Sequence, residues 1–288
     1  MAPTPRGPGH DRETGAGSAA PEHAGAEASG GERLVAYVYP IATLGVLLLA
    51  WELFTRVTGI SRLLLPAPSD IALTLFEDAS LLAQMSVITA TEFLLGFGLS
   101  VVVGVPLGAL LVYARPLELA IYPMLVASQT VPKAAIAPIF VVWMGAGISS
   151  KVLIAFAIAF FPIVIDTIVG LRSTPTEVIH VVRSMGATPF QVFWFVRFPN
   201  ALPNIFGGLK VASTLAVVGA IVGEFVSAEK GLGYLVLVAN GELDTTLVFA
   251  SVVTLSLLGV VFYFLLEVLE RIVIRWHVSA RSAETGTM

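Results

Sequence analysis

The chain has 288 residues, of which 56% are hydrophobic and only 12% are charged. The charged share is about half that of an ordinary soluble domain, and a water-soluble fold of this length has too little interior for so much apolar surface, which argues against a soluble enzyme. The net charge of −4 and the lack of a long Lys/Arg run argue against nucleic acid as a partner, and without cysteine the chain has no disulfide, thiolate metal site or cysteine nucleophile.

The first 33 residues differ in composition from the rest of the chain. They are rich in Gly, Ala, Pro and Glu and contain no apolar run, which predicts a disordered tail over residues 1–33. No hydrophobic core follows a basic start, so we do not expect a secretory signal. His10 and His23 are too sparse for a metal site, and we expect no metal or other cofactor.

Long apolar segments indicate the architecture of the remaining chain. A helix needs about 20 mostly apolar residues to cross a bilayer. The apolar character is continuous rather than alternating, which favours helices over a membrane β-barrel. We therefore predict an all-α membrane protein with a transmembrane domain over 34–276 and a cytoplasmic tail over 277–288. The six predicted spans are 34–55, 86–113, 119–143, 151–170, 204–226 and 246–270.

Basic residues favour one orientation of these six spans. If the N-terminus lies in the cytoplasm, eleven Lys and Arg side chains fall inside and four fall outside. Because cytoplasmic connections carry the excess of Lys and Arg, an orientation with both termini inside is predicted. Segment 59–85 then lies outside, where Pro66 and Pro68 predict an extended start followed by a short helix.

The inner segment 171–203 carries the clearest local signals. Thr174 at the N-cap, Pro175 at N1 and Glu177 at N3 predict one capped helix, which Gly186 ends. Thr188, Pro189 and Gln191 repeat the pattern for a second helix, which Pro199 and Pro203 are expected to end. This second helix carries Phe190, Phe193, Trp194 and Phe195. These aromatic side chains either rest in the lipid interface or insert into a groove on a soluble partner.

The same segment resembles a known family. The stretch HVVRSMGATPFQVFWFVRFPNALPNIFGGLK, residues 180–210, is similar to the signature loop of inner-membrane permeases of binding-protein-dependent ABC importers. Gly186, Val196 and Pro199 fit the family pattern, whereas Phe198 replaces the usual Leu. The pattern begins with Glu-Ala-Ala, where this chain has His180, Val181 and Val182. Glu177 lies one helical turn earlier and is expected to take over the acidic contact.

The resemblance extends over about residues 60–276. It includes SQTVPKAAIAPIFVVWMGAG, KVLIAFAIAFFPIVIDTIVGLRS and GEFVSAEKGLGYLVLVAN, which look like the branch serving sulfonates, nitrate, taurine and thiamine-pyrimidine precursors. The runs SQTVPKAAIAP, TEFLLGF and RSMGA look closest to the pyrimidine-precursor permeases. A thiamine-precursor pyrimidine is therefore the expected solute, with a sulfonate, taurine or nitrate-type anion as the alternative.

The resemblance also implies partners and a division of labour. It implies a methionine-importer-like permease fold in the bacterial inner membrane, a second permease copy forming a homodimer, two cytoplasmic ATPase subunits, and an extracytoplasmic solute-binding protein. The chain has no GxxxxGK[ST] phosphate loop, so a separate subunit is expected to hydrolyse ATP. The residues implied in ATPase coupling are Glu177, His180, Arg183, Gly186, Ala187, Phe190, Phe193 and Pro199.

Charged residues within the spans are candidates for the translocation pathway, because a charge in the bilayer usually faces a cavity or a partner. Depth along the helices predicts that Glu92 pairs with Lys133, and that Asp166 meets the inner segment. Glu224 is placed near the outer end of the fifth span, where water can reach it. The predicted pathway residues are Glu92, Gln129, Lys133, Trp143 and Glu224.

Small residues and prolines add two expectations about packing. Gly208, Ala212, Ala216, Ala220 and the pair Gly219 and Gly223 form a small-residue face on the fifth span, which packs either against a second subunit or within the chain. Prolines are expected to interrupt spans two to four, as in transporters that bend. They are Pro106, Pro123, Pro132, Pro138 and Pro162.

Two other functional classes remain as alternatives. A stand-alone channel or secondary carrier would need no ATPase, and the pair of capped inner helices argues against it. An intramembrane enzyme would need a motif such as HExxH or GxSxG, and the sequence contains neither.

Overall fold

A computed structural model describes the backbone of residues 30–274 and the side chains of residues 38–274. Eleven α-helices and no strand occur within this range. The predicted tails fall almost wholly outside it, although α1 already begins at Gly30. The helices are α1 Gly30–Thr58, α2 Pro68–Glu77, α3 Ala79–Tyr113, α4 Arg115–Ser128, α5 Ala137–Met144, α6 Ile148–Arg172, α7 Thr176–Ser184, α8 Pro189–Val192, α9 Phe198–Ser227, α10 Leu232–Gly241 and α11 Thr245–Val273.

Five helical segments are long and apolar enough to cross a membrane: α1 from Val38, α3, α6, the continuous segment Pro189–Ser227, and α11. A sixth candidate consists of α4 and the segment Lys133–Met144, which meet at a bend of 89°. A 3-10 turn at Lys133–Ile136 begins that second segment. By contacts, the described residues divide into two compact units between Ala50 and Trp51, so α1 contributes to both.

Close contacts between α3 and α6 decide whether the bent pair crosses the membrane. A Cβ on Gly96 would lie 2.5 Å from Cβ of Ala155, and a Cβ on Gly108 would lie 2.8 Å from Cβ of Thr167. Residue numbers therefore increase together along the two helices, which run in the same direction. The chain must return between Tyr113 and Ile148, so the bent pair is a broken span, and the predicted count of six is reached.

Helix α9 packs against α6 in the opposite direction. A Cβ on Gly219 would lie 2.6 Å from Cα of Ala155, and a Cβ on Gly208 would lie 2.6 Å from Cβ of Asp166. Ala212, Ala216 and Ala220 are buried on the same face. The small-residue face thus packs within the chain, which decides between the two alternatives, because only small side chains allow the backbones to come this close.

The prolines affect the helices less than the sequence suggested. Pro106 and Pro162 lie inside the continuous helices α3 and α6, and Pro123 lies inside α4. Neighbouring helices in a membrane protein can satisfy the backbone groups that a proline frees. The break falls at 129–132, where Pro132 precedes the 3-10 turn, so the expected interruption is wrong for the other spans.

The segment after α1 has the predicted form. Ala67 is extended, with ψ of 148°, and α2 begins at Pro68. Glu52 near the end of α1 accepts hydrogen bonds from the backbone N–H and the hydroxyl of Ser69, at 3.0 and 2.8 Å, and from Arg56 at 2.9 Å. These bonds attach the start of α2 to the last turns of α1.

Candidate functional site

The segment between α6 and α9 contains two short helices separated by Gly186, as predicted. Gly186 has φ of +87°, a conformation that suits glycine because it has no Cβ. At the start of α8, the Thr188 hydroxyl accepts from the Gln191 N–H at 3.3 Å, and the Gln191 side chain accepts from the Thr188 N–H at 2.8 Å. This reciprocal pair confirms the second capping box. We call α7 and α8 the loop helices, and the end of the molecule where they lie the loop end.

The first predicted capping box is wrong. Helix α7 begins at Thr176, after Pro175 at the N-cap, and no side chain caps it. The hydroxyl of Thr174 is buried and instead accepts a hydrogen bond from the side-chain amide of Asn200 at 3.2 Å. Asn200 also donates to Ser173 at 3.1 Å. The threonine therefore attaches the start of α7 to α9 instead of capping α7.

The predicted end of the second helix at Pro199 is also wrong. A π-helical turn over Phe193–Arg197 joins α8 to α9, and the N–H of Phe198 bonds to the carbonyl of Phe193. This wider turn places Pro199 at the start of α9, where its missing N–H costs little. Pro203 lies inside α9. The segment Pro189–Ser227 is thus one continuous helical rod, so a displacement of α8 is transmitted directly to α9.

The aromatic residues of this rod face two ways. The Phe193 ring lies 5.6 Å from that of Tyr113 on α3 and 5.8 Å from that of Phe198. Phe190 and Phe195 are 71% and 78% exposed. An apolar cavity of about 720 Å³ is lined by Phe190, Phe193 and Tyr113 among others. One ring therefore fixes the rod to α3, and the exposed rings form an apolar surface.

The residues implied in ATPase coupling lie together at the loop end. Glu177, His180 and Arg183 follow one another at three-residue intervals on α7, and all three are exposed. Gly186 is exposed, whereas Ala187 and Pro199 are partly buried. Glu177 and His180 are one helical turn apart, and both are exposed. That Glu177 makes the acidic contact in place of His180 stays a prediction.

Two contacts that the sequence analysis missed fix the loop end to the membrane helices. Arg172, the last residue of α6, forms an ion pair of 2.5 Å with Glu118 on α4, which also contacts Arg115 at 3.1 Å. Arg197 in the π-helical turn lies over the ring of Tyr113, 5.5 Å from its centroid. The sequence signal that could have indicated these contacts is the position of Arg172 and Arg197 at the ends of helical segments.

Glu92 pairs with Lys151 and not with Lys133, so the predicted pair is wrong. The Glu92 Oε1 atom lies 3.2 Å from Lys151 Nζ, and the two residues are 1% and 7% exposed. Lys133 instead lies over the ring of Phe161, at 5.9 Å from its centroid. Phe161 is ten residues beyond Lys151 on α6, or about 15 Å along the axis, which puts Lys133 too deep to reach Glu92. The break before Lys133 invalidates a depth counted along an unbroken span.

Glu224 is buried, which contradicts the expectation that it sits in water. Its carboxylate accepts from the hydroxyl of Thr89 at 2.6 Å and from the N–H groups of Gly233 and Tyr234 at 2.5 and 3.3 Å. These N–H groups belong to the first turn of α10, where backbone donors have no helical partner. The Glu224 carboxylate therefore joins α3, α9 and α10.

The remaining predicted pathway residues do not come together. Asp166 lies against Gly208 of α9, not against the inner segment as predicted. Gln129 is exposed at the break in the third span, and Trp143 is exposed near the end of α5. Among the described residues, no group of three or more His, Asp or Glu side chains is placed to hold a metal ion.

Comparison with known proteins gives consistent family matches. Residues 100–275 match the family described as binding-protein-dependent transport system inner membrane component. The riboflavin transport system permease of Chloroflexus aurantiacus is 41% identical over 239 residues, 82% of this chain and 89% of the relative. The formylaminopyrimidine transport permease of Halalkalibacterium halodurans is 39% identical over 232 residues, 80% of this chain and 92% of the relative.

More distant matches agree in fold and in class. The taurine transport system permease of Escherichia coli is 30% identical over 245 residues, 82% of this chain and 89% of the relative. A chain of the MetNI methionine ABC transporter, solved in an inward-facing conformation, superposes with a TM-score of 0.59 at 23% identity. That superposition covers 68% of this chain and 98% of the solved chain, and it shows that the two have the same fold.

Proposed function

Because the chain belongs to the family of binding-protein-dependent transport system inner membrane components, we propose that it carries a thiamine-precursor pyrimidine across the membrane, driven by ATPase subunits that bind the loop helices. The chain is a multi-pass permease subunit of an ABC importer. The choice of solute is supported by the identity of 39% to the formylaminopyrimidine permease. The riboflavin permease is slightly more similar, so riboflavin belongs on the same panel of solutes.

The observation that carries the mechanism is the continuous rod from α8 to α9. Phe190 and Phe195 are exposed near the N-terminal end of the rod. Aromatic side chains that enter a pocket on a partner often dominate the binding energy. A partner that binds α8 and displaces it also displaces α9, because no loop separates the two helices. Since α9 packs tightly on α6, ATP-driven motion at the loop end shifts the membrane helices as rigid bodies.

The partners follow the family pattern. We expect two ATPase subunits in the cytoplasm, an extracytoplasmic binding protein that delivers the solute, and a second copy of this permease that completes the pathway. The loop end is then cytoplasmic. A cysteine at Ser80 should react with a membrane-impermeant maleimide in intact cells, whereas one at Ser184 should react only after the membrane is opened. The reverse pattern would contradict this orientation.

Coupling is tested by a matched pair of substitutions. Phe190 and Phe76 are both strongly exposed, but Phe76 lies on α2, away from the loop helices. Phe190→Ala should reduce co-purification of the ATPase and ATP-driven uptake by about tenfold or more, as expected for a central aromatic contact. Phe76→Ala should leave ATPase co-purification unchanged. Equal ATPase recovery with both variants would reject α8 as the coupling element.

An anion importer is the second candidate, and Lys133 is the observation that favours it. Its ammonium lies over Phe161 at the break in the third span, where a negatively charged solute would gain a favourable contact. Uptake of taurine or an aliphatic sulfonate, but not of formylaminopyrimidine or riboflavin, by the reconstituted complex would favour this candidate.

A further inference from the structure

The apolar cavity of about 720 Å³ that α3, α6 and the rod line at the loop end extends along two spans. We call it the loop-end cavity. Its wall on α3 runs from Val105 to Tyr113, the last residue of that span. These two residues are eight positions apart, or about 12 Å along the helix axis. On α6 the wall includes Thr167 and Leu171, next to the last residue of the span, Arg172. The cavity therefore reaches from the ends of the spans into the bilayer.

The wall of the loop-end cavity suits a hydrocarbon chain. The Thr167 hydroxyl donates to the carbonyl of Ile163 in its own helix at 2.6 Å, so it offers no free donor. Leu110 and Tyr113 are 50% and 48% exposed, so the α3 wall is accessible from outside the protein. About 12 Å below the end of a span, the surroundings are hydrocarbon. A lipid acyl chain lies along the spans at this depth, whereas a soluble partner does not reach it.

Basic side chains lie near the outer end of the loop-end cavity. The guanidinium of Arg197 lies over the ring of Tyr113, 5.5 Å from its centroid. Arg197 forms no ion pair within residues 38–274, so no carboxylate there neutralises its charge. Arg115 and Arg172 share the single carboxylate of Glu118. These charges leave an excess of positive charge where α3 and α6 end.

We propose that the loop-end cavity binds an acyl chain of an anionic phospholipid, and that Arg197 binds the phosphate of the same molecule. The planar guanidinium matches the oxygens of a phosphate, and basic pockets between membrane helices are sites for anionic headgroups. The headgroup lies level with the ends of the two spans, and the chain follows α3 inward. The lipid therefore contacts both the rod and α3. This inference is independent of the solute and of the ATPase.

Tryptophan fluorescence measures this contact, because Trp194 lines the cavity and an acyl chain that carries bromine quenches a tryptophan it touches. The sequence has four tryptophans, so phenylalanine at positions 51, 143 and 276 leaves Trp194 alone in the full permease chain. The probe is brominated phosphatidylglycerol, present as a minor component of phosphatidylcholine vesicles. Its apparent affinity at Trp194 should exceed that of brominated phosphatidylcholine by about fivefold, as expected for one basic side chain at a membrane surface.

Trp143 provides the matched control for this measurement. It is 71% exposed near the end of α5, and it does not line the loop-end cavity. A permease chain that keeps only Trp143 should show the same quenching with the two brominated lipids. The difference between Trp194 and Trp143 therefore separates a headgroup-selective site from ordinary contact with the bilayer.

The role of Arg197 is tested in the chain that keeps only Trp194. Arg197→Gln should abolish the preference for phosphatidylglycerol, a loss of about fivefold, whereas Arg197→Lys keeps the charge and should retain most of it. Arg271→Gln makes the same change of charge at an exposed position of α11 outside the cavity lining, and it should have no effect. A preference that survives in Arg197→Gln would overturn the assignment of Arg197.

The place of the acyl chain is tested separately, which also covers a failure of Arg197→Gln to insert into the membrane. Ala109→Phe adds a ring to the cavity wall and should weaken the quenching of Trp194 by brominated phosphatidylglycerol. Val102→Phe adds similar bulk to α3 at a position that is 70% exposed and outside the lining. It should leave the quenching unchanged. Equal quenching in both variants would overturn the placement of the chain in the cavity.

Two further results would reject the proposal. Equal quenching of Trp194 by the two brominated lipids would show contact with the bilayer without selection of a headgroup. No quenching by either lipid would show that protein, such as a second copy of the permease, closes the cavity. Neither result would count against the proposed solute or the proposed coupling, since ATP-driven uptake is measured independently.

Discussion

The carboxylate of Glu224 accepts a hydrogen bond of 2.6 Å from the hydroxyl of Thr89, although 135 positions of sequence separate the two residues. The same hydroxyl accepts from the N–H of Leu232 at 2.9 Å. Glu224 also receives the N–H groups of Gly233 and Tyr234. One buried threonine and one buried glutamate thus hold α3, α9 and the start of α10 together.

Removal of the Thr89 hydroxyl should destabilise this junction. Thr89→Val keeps the shape of the side chain but removes the hydroxyl that donates to Oε1 of Glu224 and accepts from the Leu232 N–H, which should cost about 1–3 kcal/mol. Thr91→Val is the matched control on the same helix, because the Thr91 hydroxyl bonds only to its own helix at Val87 and is exposed. Thermal unfolding of the purified complex measures both. An equal change in Tm would contradict the role of Thr89.

Close packing of α9 on α6 should make Gly219 intolerant of any side chain. A Cβ there would lie 2.6 Å from backbone Cα of Ala155, so Gly219→Ala must push the helices apart and should cost about 1–3 kcal/mol. Gly207 on the same helix has no atom within 4 Å of such a Cβ. Gly207→Ala should be neutral or stabilising by up to about 1 kcal/mol, since alanine is the better helix former. A similar loss in both variants would argue against tight packing.

Lys210 joins α9 to α11 inside the protein. Its Nζ lies 2.6 Å from Glu270 and 3.8 Å from Glu267, and it is largely buried. Lys210→Met removes the cation of a buried pair and should cost about 3–5 kcal/mol. Arg271→Met removes the exposed partner of Glu267 and should cost no more than about 1 kcal/mol. Denaturant or thermal unfolding measures the loss of stability in each variant, and Lys210→Met should lose more than Arg271→Met. Equal losses would refute the buried role of Lys210.

Gly186 should tolerate substitution in an order set by its backbone conformation. At φ of +87°, asparagine is strained less than alanine, and β-branched valine is strained most. The turn itself has open space around it, so bulk alone should matter little. ATP-driven uptake by the reconstituted complex should fall from Gly to Asn to Ala to Val. Uptake that follows side-chain volume instead would show that contact, not backbone strain, limits this position.

The features predicted correctly from the sequence depend on residues that are close together in the sequence. Apolar length is a local property, so the spans could be counted before their packing was known. Thr188 and Gln191 hydrogen-bond to each other within one helical turn. The turn at Gly186 depends only on the backbone conformation of that residue. Thr174 has the same local signal as Thr188, yet its hydroxyl bonds to Asn200, 26 positions away. Tertiary contact decided between the two threonines.

The charged pairs could not be predicted because each depends on where a distant helix lies. The depth of Lys133 was counted along a straight span, and the bend of 89° after α4 invalidated that count. Lys151 begins the predicted span 151–170 and was counted among the four basic residues outside the membrane, but its side chain is buried in the first turn of α6 and pairs with Glu92. For Glu224 a signal was present, because the glycines at 231 and 233 indicate a helix start that leaves N–H donors for a carboxylate.

The central claim is that ATPase subunits drive solute import by moving the loop helices of this permease. The most direct measurement is uptake of formylaminopyrimidine into proteoliposomes that contain the permease, its ATPase and its binding protein, with and without ATP. We predict accumulation against the gradient only with ATP and all three components, and its loss in Phe190→Ala. Uphill accumulation by the purified permease alone, or full uptake with Phe190→Ala, would contradict the claim.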